Sequence, residues 1–232
     1  IPIRSFGSFA NANQRILMSA TTQDDSFFIK GLGFDINAIK NPLINTEQKW
    51  SGEKMILIPS LIDDSLDRDL IVSTFAKPNT KLHFGRVAIV PSHRRSEQYY
   101  VLGSTISGTK NIFTLISDLK AGNIEKTLVI INRYDGIDLP DESCRLLIID
   151  SMPYFNSLVD RYEEQCRVNS DIINIRLAQR IEQGLGRSVR GEKDYSVILL
   201  IGADLVKFIR STRTSRYFSP QTKKQIDIGF QI

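Results

Sequence analysis

Residues 86–91 read Arg-Val-Ala-Ile-Val-Pro, an apolar run that stops at a proline and is followed by Ser92. A short, β-branched and almost uninterrupted apolar run is typical of a parallel strand that is covered on both faces. Segments of the same character recur at residues 15–19, 55–59, 127–131, 145–150 and 195–201. This pattern predicts a layered α/β fold with a mainly parallel central sheet.

Amphipathic segments alternate with these predicted strands. Between residues 172 and 185 the apolar side chains recur at helical spacing, so we assign them to the core and give them no function. The predicted helices cover residues 25–31, 93–102, 111–121, 157–168, 172–184 and 203–210. Residues 34–54, with Asn41-Pro42 and a polar run, receive no assignment. Residues 63–84 begin with an aspartate-rich segment, Asp63, Asp64, Asp67 and Asp69, whose spacing fits no calcium loop, and we interpret it as a solvated helix face.

The composition is that of an ordinary globular protein with a core, at 41% hydrophobic and 24% charged residues over 232 positions. A net charge of +4 fits an anionic partner. Two cysteines, Cys144 and Cys166, are too few for a zinc or iron–sulfur site. No apolar run approaches the ~20 residues that cross a bilayer, so we expect a cytosolic protein without membrane contact. The first residue is isoleucine, and we expect the chain to be part of a longer protein.

Residues 183–190 read Gln-Gly-Leu-Gly-Arg-Ser-Val-Arg and carry the most specific chemical signal. Arg187 and Arg190 are three residues apart, so a helix would present both guanidinium groups on one face. Such a pair suits the charge that develops on a transferred phosphoryl group. Gly186 removes side-chain bulk and would let another surface come close. A plain basic helix end is the alternative, and this segment alone leaves both interpretations open.

Three further polar segments follow predicted strands, at residues 17–22, 90–95 and 130–140. Ligands of open α/β sheets bind at the carboxyl ends of the strands, where free N–H groups attract anions. Each segment also has a simpler interpretation. Ser19–Thr21 could be a chance strand end, Ser92 a helix cap and Asp135-Gly136 a turn. Their order around residues 183–190 is what makes them informative together.

In this order, residues 17–21, 90–95, 134–140 and 183–190 resemble motifs III, IV, V and VI of superfamily 2 helicases. The similarity is closest to the XPD/DinG branch, and it extends through residues 147–153, which read Leu-Ile-Ile-Asp-Ser-Met-Pro. It implies a RecA-like three-layer domain. We accordingly predict that residues 1–22 are the last strand of a preceding N-terminal motor domain. Residues 23–210 would form the C-terminal RecA-like helicase domain, and residues 211–232 a basic C-terminal arm.

The resemblance assigns residues to the ATP site. Arg187 and Arg190 would be arginine fingers on the γ-phosphate, and Gln183 would position that phosphate or the attacking water. Asp138 would contact the ribose or hold a finger arginine. The residues expected at the nucleotide are Asp138, Gly136 and Gly186.

The resemblance also assigns residues to coupling and to DNA. Ser19, Ala20 and Thr21 would couple the nucleotide state to closure of the two domains. Single-stranded DNA would be contacted by Ser92, Arg94, Arg95, Tyr134 and Asp135.

The 232 residues contain no Gly-Lys-Ser/Thr and hence no phosphate-binding P-loop. Residues 141–144 precede a predicted strand, so they do not form the acidic box that would hold magnesium, and residues 146–150 are predicted to be a plain strand. ATP and Mg²⁺ would therefore bind between this domain and an absent P-loop domain, with the metal ligands and any iron–sulfur cluster on that other half. No metal site is expected in this chain.

The sequence thus predicts the C-terminal motor half of an ATP-dependent DNA helicase, and the family implies 5′→3′ movement. The protein would be a monomer, cytoplasmic or nucleoid-associated in a bacterium, with a role in DNA repair. Alone, the fragment should be inactive. The alternative is a non-catalytic RecA-like module that docks nucleic acid or protein.

Overall fold

The computed structural model describes residues 3–18, 27–43, 52–134, 136–155, 157–166, 171–189, 191 and 193–232. The chain divides into two compact units, Ile1–Lys49 and Trp50–Ile232. The first unit contains a 3-10 helix at Ile3–Ser5, helix α1 at Gly7–Ala10, a π-helical turn at Phe27–Gly31 and helix α2 at Ile36–Lys40. Asp35 begins α2 by accepting a hydrogen bond from the Asn37 amide at 2.7 Å.

The second unit is built on a six-stranded sheet in which all the paired strands are parallel. The strands are β1 (Glu53–Leu57), β2 (Arg86–Val90), β3 (Thr105–Ile106), β4 (Leu128–Ile131), β5 (Leu146–Asp150) and β6 (Tyr195–Ile201). Their order across the sheet is β1-β6-β5-β2-β4-β3. In register, Ala88 of β2 lies between Val129 of β4 and Ile148 of β5.

Helices connect these strands, and a 3-10 helix at Asp141–Ser143 precedes β5. They are α3 (Pro59–Ile62), α4 (Arg68–Phe75), α5 (His93–Val101), α6 (Ile112–Lys120), α7 (Leu158–Cys166), α8 (Asp171–Leu185), α9 (Ala203–Arg210), α10 (Thr212–Ser215) and α11 (Pro220–Gly229). Within the described ranges, none of the helices combines the length and the apolar character needed to cross a membrane.

The sheet is buried on both faces, as the composition of its strands predicts. Along β2, Val87 and Ile89 join a core cluster that includes residues of α6, α8, α9 and α11. Ala88 and Val90 point to the opposite face and join a second cluster with residues of α4 and α5. Helices therefore cover a parallel sheet on two sides, and the predicted RecA-like three-layer fold is confirmed.

Five of the six predicted strands form within two residues of their predicted limits. The strand predicted at residues 15–19 is wrong for its described part, since Arg15–Met18 contain none. Ile16 and Met18 are 82% and 91% exposed, so the burial that would favour a strand is missing. The short edge strand β3 was not predicted.

The last 22 residues pack on the sheet. Phe218 is buried, and its ring lies 6.0 Å from that of Phe208 in an edge-on arrangement. A Cβ at Gly229 would overlap the carbonyl oxygen of Ile56 in β1, so α11 lies very close to that strand. Residues 211–232, which the sequence assigned to a basic arm, therefore belong to the second unit. That residues 1–22 belong to a preceding motor domain stays a prediction.

Candidate nucleotide site and nucleic-acid surface

Arg187 follows directly on the end of helix α8. The chain turns there through two backbone hydrogen bonds, from the Gly186 amide to Glu182 and from the Arg187 amide to Gly184, both 3.0 Å. The Arg187 side chain folds back over the helix, and its Nε donates to the Gln183 carbonyl at 2.8 Å. Gln183 is half-buried.

The same arginine is joined to the loop that follows β4. Its Nη1 donates to the Ile137 carbonyl at 2.8 Å, and the Leu139 amide donates to the Arg187 carbonyl at 3.1 Å. The Oδ1 atom of Asp138 lies 3.8 Å from Nη1. Backbone and side-chain contacts therefore bring together the two segments that resemble motifs V and VI.

The two carbonyls hold Arg187 more firmly than the carboxylate does. A distance of 3.8 Å exceeds the ~2.7–2.9 Å of a charge-assisted hydrogen bond. The Asp138 side chain is 56% exposed, whereas that of Arg187 is 13% exposed. The guanidinium is thus oriented by the backbone, with the partly exposed carboxylate of Asp138 at 3.8 Å.

The segment that carries Asp138 spans the full length of strand β2. At one end the Asn132 amide donates to Val90, the last residue of β2, at 2.7 Å. At the other end the amide of Gly85, which precedes β2, donates to the Glu142 carbonyl at 2.7 Å. These two bonds tie the segment to both ends of β2, and the expected position of Asp138 at the carboxyl edge stays a prediction.

The glycines of this region differ in what they allow. A Cβ at Gly184 would lie 2.9 Å from Cδ1 of Tyr134 and 3.2 Å from Cδ1 of Ile149, so a side chain there would collide with the core. At Gly186 the nearest atom would be 3.5 Å away, an ordinary contact. The close approach expected at Gly186 is therefore found at Gly184. Gly136 has a φ of +68°, which favours glycine.

Tyr134 belongs to the core and not to the surface. Its side chain is 2% exposed, and its hydroxyl has no hydrogen-bond partner among the described residues. Burial, with the negative charge of Asp150 as a second cause, raises the pKa of this phenol above its usual range. Because the ring packs against Gly184, we remove Tyr134 from the residues expected to contact DNA.

Ser92 begins helix α5 at the carboxyl end of β2. Its hydroxyl accepts a hydrogen bond from the Arg95 amide at 3.4 Å, so it acts as the helix cap that the simpler interpretation expected. Arg94 and Arg95 are exposed in the first turn of the helix. A capped helix start with two exposed guanidinium groups remains suited to a phosphate backbone.

Several predicted site residues lie outside the described part of the chain: Arg190, Ser19, Ala20, Thr21 and Asp135.

Asp150 is a buried carboxylate that binds three other side chains of the protein. It ends β5, is fully buried, and receives both Nε and Nη2 of Arg68 at 2.8 and 2.7 Å. The hydroxyls of Ser151 and Tyr99 also donate to it, at 2.7 and 3.2 Å. Its carboxylate oxygens are therefore engaged by protein groups, which agrees with treating residues 146–150 as a plain strand.

The acidic residues before β5 are likewise held within the protein. Asp141 and Glu142 lie 3.9 and 3.0 Å from the guanidinium of Arg145, which also contacts Asp194 at 2.6 Å. In the part of the chain that the structure describes, His, Cys, Asp and Glu form no group of three or more that could hold a metal ion.

One surface group was missed from the sequence. The Tyr154 carbonyl accepts hydrogen bonds from Asn132 at 2.9 Å and from Arg180 at 2.7 Å. The available signal was the position of Tyr154 just after Met152-Pro153, at the carboxyl end of β5. These partners are 22 and 26 residues away, so no local pattern links them.

Both the sequence and the fold of this chain are similar to those of known helicases. Residues 90–220, more than half of the chain, match the family described as "Helicase C-terminal domain". No curated protein matches the sequence. A solved XPD helicase superposes over 90% of this chain and 41% of its own, with a TM-score of 0.58 at 16% identity.

A second solved structure, of Dbp5 from S. cerevisiae bound to RNA and ADP BeF3, has a TM-score of 0.50 at 14% identity. It covers 92% of this chain and 53% of its own. The chain thus spans about half or less of these structures, and their likeness at such low identity concerns the fold. The kinship indicated by the motif order is confirmed by the family match, and this chain belongs to the helicase C-terminal domain family.

Proposed function

We propose that this chain is the C-terminal motor half of an ATP-dependent DNA helicase. In this proposal ATP binds between the second unit and an N-terminal P-loop domain, and Arg187 and Arg190 reach the γ-phosphate from this side. The observation that carries it is the contact between Arg187 and the loop at residues 137–139. A family match over residues 90–220 supports the same function.

The setting of Arg187 suits an arginine finger. Two backbone carbonyls fix the direction of its guanidinium, so little side-chain entropy is lost when a phosphate arrives. Asp138, 3.8 Å from the same guanidinium, would contact the ribose or hold the arginine in place. Gln183, whose carbonyl anchors the arginine, would orient the phosphate or the attacking water. Gly136 and Gly186 would leave room for the nucleotide.

ATP is the substrate of this reaction, and Mg²⁺ would accompany it. In the described part of the chain, Asp150 is engaged by Arg68 and the pair Asp141 and Glu142 by Arg145, and no group of three or more acids, histidines or cysteines could hold a metal ion. We therefore propose that the magnesium ligands, and any iron–sulfur cluster, lie on the N-terminal half. This chain would contribute orientation and positive charge.

DNA would bind along the carboxyl ends of the strands. Ser92, Arg94 and Arg95 begin α5 at that edge and would contact the phosphates of a single strand. Ser19, Ala20 and Thr21 would transmit the nucleotide state, and Asp135 would contact the strand. We propose 5′→3′ movement on the basis of the family resemblance.

The test uses the full-length protein with Arg187 replaced by alanine. We expect DNA-stimulated ATP hydrolysis to fall by about 10³-fold or more, because the transition-state charge loses its guanidinium. Binding of single-stranded DNA should change little, since other residues, Ser92, Arg94 and Arg95 among them, would contact the DNA. Unwinding of duplexes with a 5′ or a 3′ single-stranded tail reports the direction.

Arg210→Ala is the matched control. Arg210 is exposed in the last turn of α9, and its loss should leave hydrolysis within about twofold of the unmodified protein. An Arg187→Ala protein that hydrolyses ATP at the normal rate would contradict the motor function and favour the docking module.

A further inference from the structure

A surface tyrosine is fixed in place at the carboxyl end of β5. The Tyr154 carbonyl accepts Nδ2 of Asn132 and Nη1 of Arg180, which come from the end of β4 and from α8. Its neighbours Pro153 and Phe155 are buried, while the Tyr154 side chain is 41% exposed. Two hydrogen bonds and two buried neighbours therefore hold the backbone of Tyr154, and its aromatic ring is partly exposed to solvent.

Positive charge accompanies this ring. The guanidinium of Arg161 lies 5.7 Å from the centroid of Tyr154, and that of Arg180 lies 5.0 Å from the centroid of Phe155. Arginines on aromatic faces attract both the phosphates and the π-faces of a nucleic acid.

A second exposed aromatic ring, that of Phe113, also has an arginine over its face. Arg133, the residue after Asn132, places its guanidinium 5.3 Å from the centroid of Phe113, and the Phe113 side chain is 63% exposed. The dipeptide at residues 132–133 thus links two aromatic rings, each with its own arginine.

Two acids of α7 share one partner. Asp160 and Glu163 lie 3.1 and 3.0 Å from the guanidinium of Arg176, which offsets one of their two negative charges. The three arginines at the aromatic rings, Arg133, Arg161 and Arg180, outnumber the negative charge that is left.

The pair of rings lies at the edge that carries the proposed phosphate contacts. Asn132 is bonded to Val90 at the end of β2, and α5 begins three residues after Val90 with Ser92 as its cap. A single strand that crosses the start of α5 therefore continues towards Tyr154 along the same edge of the sheet.

We propose that Tyr154 and Phe113 form a stacking site for the bases of single-stranded DNA. The inference rests on the proposed function and adds to it a contact with bases, whereas Arg94 and Arg95 contact phosphates. Every base has a π-face, so the site accepts any sequence. A tyrosine with a fixed backbone loses little conformational freedom when a base stacks on it.

The test measures binding of a fluorescent oligothymidylate of about 20 nucleotides to the full-length protein. Tyr154→Ala should weaken binding by about 5- to 100-fold, while Tyr154→Phe, which keeps the ring, should stay within about twofold. The slope of log K against log salt should stay unchanged in Tyr154→Ala, since no charge is lost. In Arg95→Ala the magnitude of that slope should fall by about 1.

Tyr100→Ala is the matched control, because Tyr100 is 70% exposed near the far end of α5. It should bind like the unmodified protein. Normal affinity in Tyr154→Ala, or an equal loss in Tyr154→Phe, overturns the stacking site but leaves the proposed function standing if Arg95→Ala weakens binding. An unmodified protein that does not bind the oligonucleotide overturns both.

Discussion

Helix α8 packs closely against the core at Gly184. Its missing side chain leaves room for the ring of Tyr134, which is almost fully buried. The ring cannot retreat easily, because protein interiors are packed at the density of organic crystals. The loop after β4 and the end of α8 are therefore held together by shape as well as by Arg187.

We expect Gly184→Ala to lower the free energy of unfolding by about 1 kcal/mol, and by about 2 kcal/mol at most. Overpacking of a core costs about 1–3 kcal/mol, and the better helix propensity of alanine offsets about 1 kcal/mol of that. Gly186→Ala is the matched control and should leave stability unchanged or raise it by up to ~1 kcal/mol, since its Cβ meets only ordinary contacts. Urea unfolding of the 232-residue chain measures both. Equal stabilities would show that the ring moves aside freely.

At this scale the sequence could identify the cap at Ser92, because its position after a strand and before a helix determines it, while the role of Arg187 stays a prediction. It could not reveal that Tyr134 is buried. A tyrosine after a strand is found at surfaces and in cores alike, and only the absence of a side chain 50 residues later, at Gly184, creates the space for it. The hydrogen bond between Asn132 and the Tyr154 carbonyl could not be predicted either, because the two residues are 22 positions apart.

Among the elements, α4 and α5 are fastened to the end of β5 by one buried carboxylate. Arg68 comes from the first turn of α4 and Tyr99 from α5, and both bond to Asp150. Arg68 also donates to Gln98 of α5 at 2.7 Å. The second half of α5 is thereby held at the end of β5.

We expect Asp150→Asn to destabilise the chain by about 3–5 kcal/mol, because the Arg68 guanidinium is left buried without its counter-charge. Asp69→Asn is the control. Asp69 contacts the same guanidinium at 3.0 Å, but its side chain is 74% exposed, so its loss should cost less than about 1 kcal/mol. If Asp150→Asn does not fold, Tyr99→Phe removes one bond to Asp150 and should cost about 0.5–1.5 kcal/mol. Equal effects of the two aspartate variants in urea unfolding would contradict this role.

The central strands and the helices between them were predictable from the spacing of their apolar residues. A buried parallel strand is a short apolar run, and an amphipathic helix repeats its apolar residues every three to four positions. Strand β3 has only two residues, too few for a pattern. Helix α4 begins inside the aspartate-rich segment, where Asp67 serves as its cap by accepting from the Leu70 amide at 2.8 Å. In such a segment a cap and a plain surface acid look the same in sequence.

For the molecule as a whole, three buried acids make stability sensitive to alkali. Burial raises the pKa of the Cys144 thiol and of the Tyr99 and Tyr134 phenols above their ordinary values of 9.0 and 10.0. Above those values the unfolded chain releases protons that the folded chain keeps. The unfolded state then binds fewer protons, so stability falls as the pH rises.

We expect the free energy of unfolding to be level near neutral pH and to decline from about pH 9, more steeply beyond pH 10. Each group contributes a slope of up to about 1.4 kcal/mol per pH unit. Tyr134→Phe should make the decline shallower. It should not weaken the protein at neutral pH, because the lost hydroxyl has no partner within the described residues. A free energy of unfolding that stays constant up to about pH 11 would contradict the burial of these groups.

The fold class and the family followed from the order of strands and motifs, which is a property of the whole chain. The placement of the last 22 residues did not follow, because basic and aromatic residues at a chain end are compatible with both a free arm and packed helices. Only contacts with Phe208 and with β1 distinguish the two.

The position of β1 has a consequence for synthesis on the ribosome. β1 is the first strand of the sheet to be made, yet it pairs with β6, the last, and it is covered by α11 near the end of the chain. Because synthesis proceeds at about 5–20 residues per second, many seconds pass between the synthesis of β1 and that of its neighbours β6 and α11. During that interval its apolar residues, Ile56 among them, are open to chaperones and to other nascent chains, so this domain should close only after its final helix has left the exit tunnel.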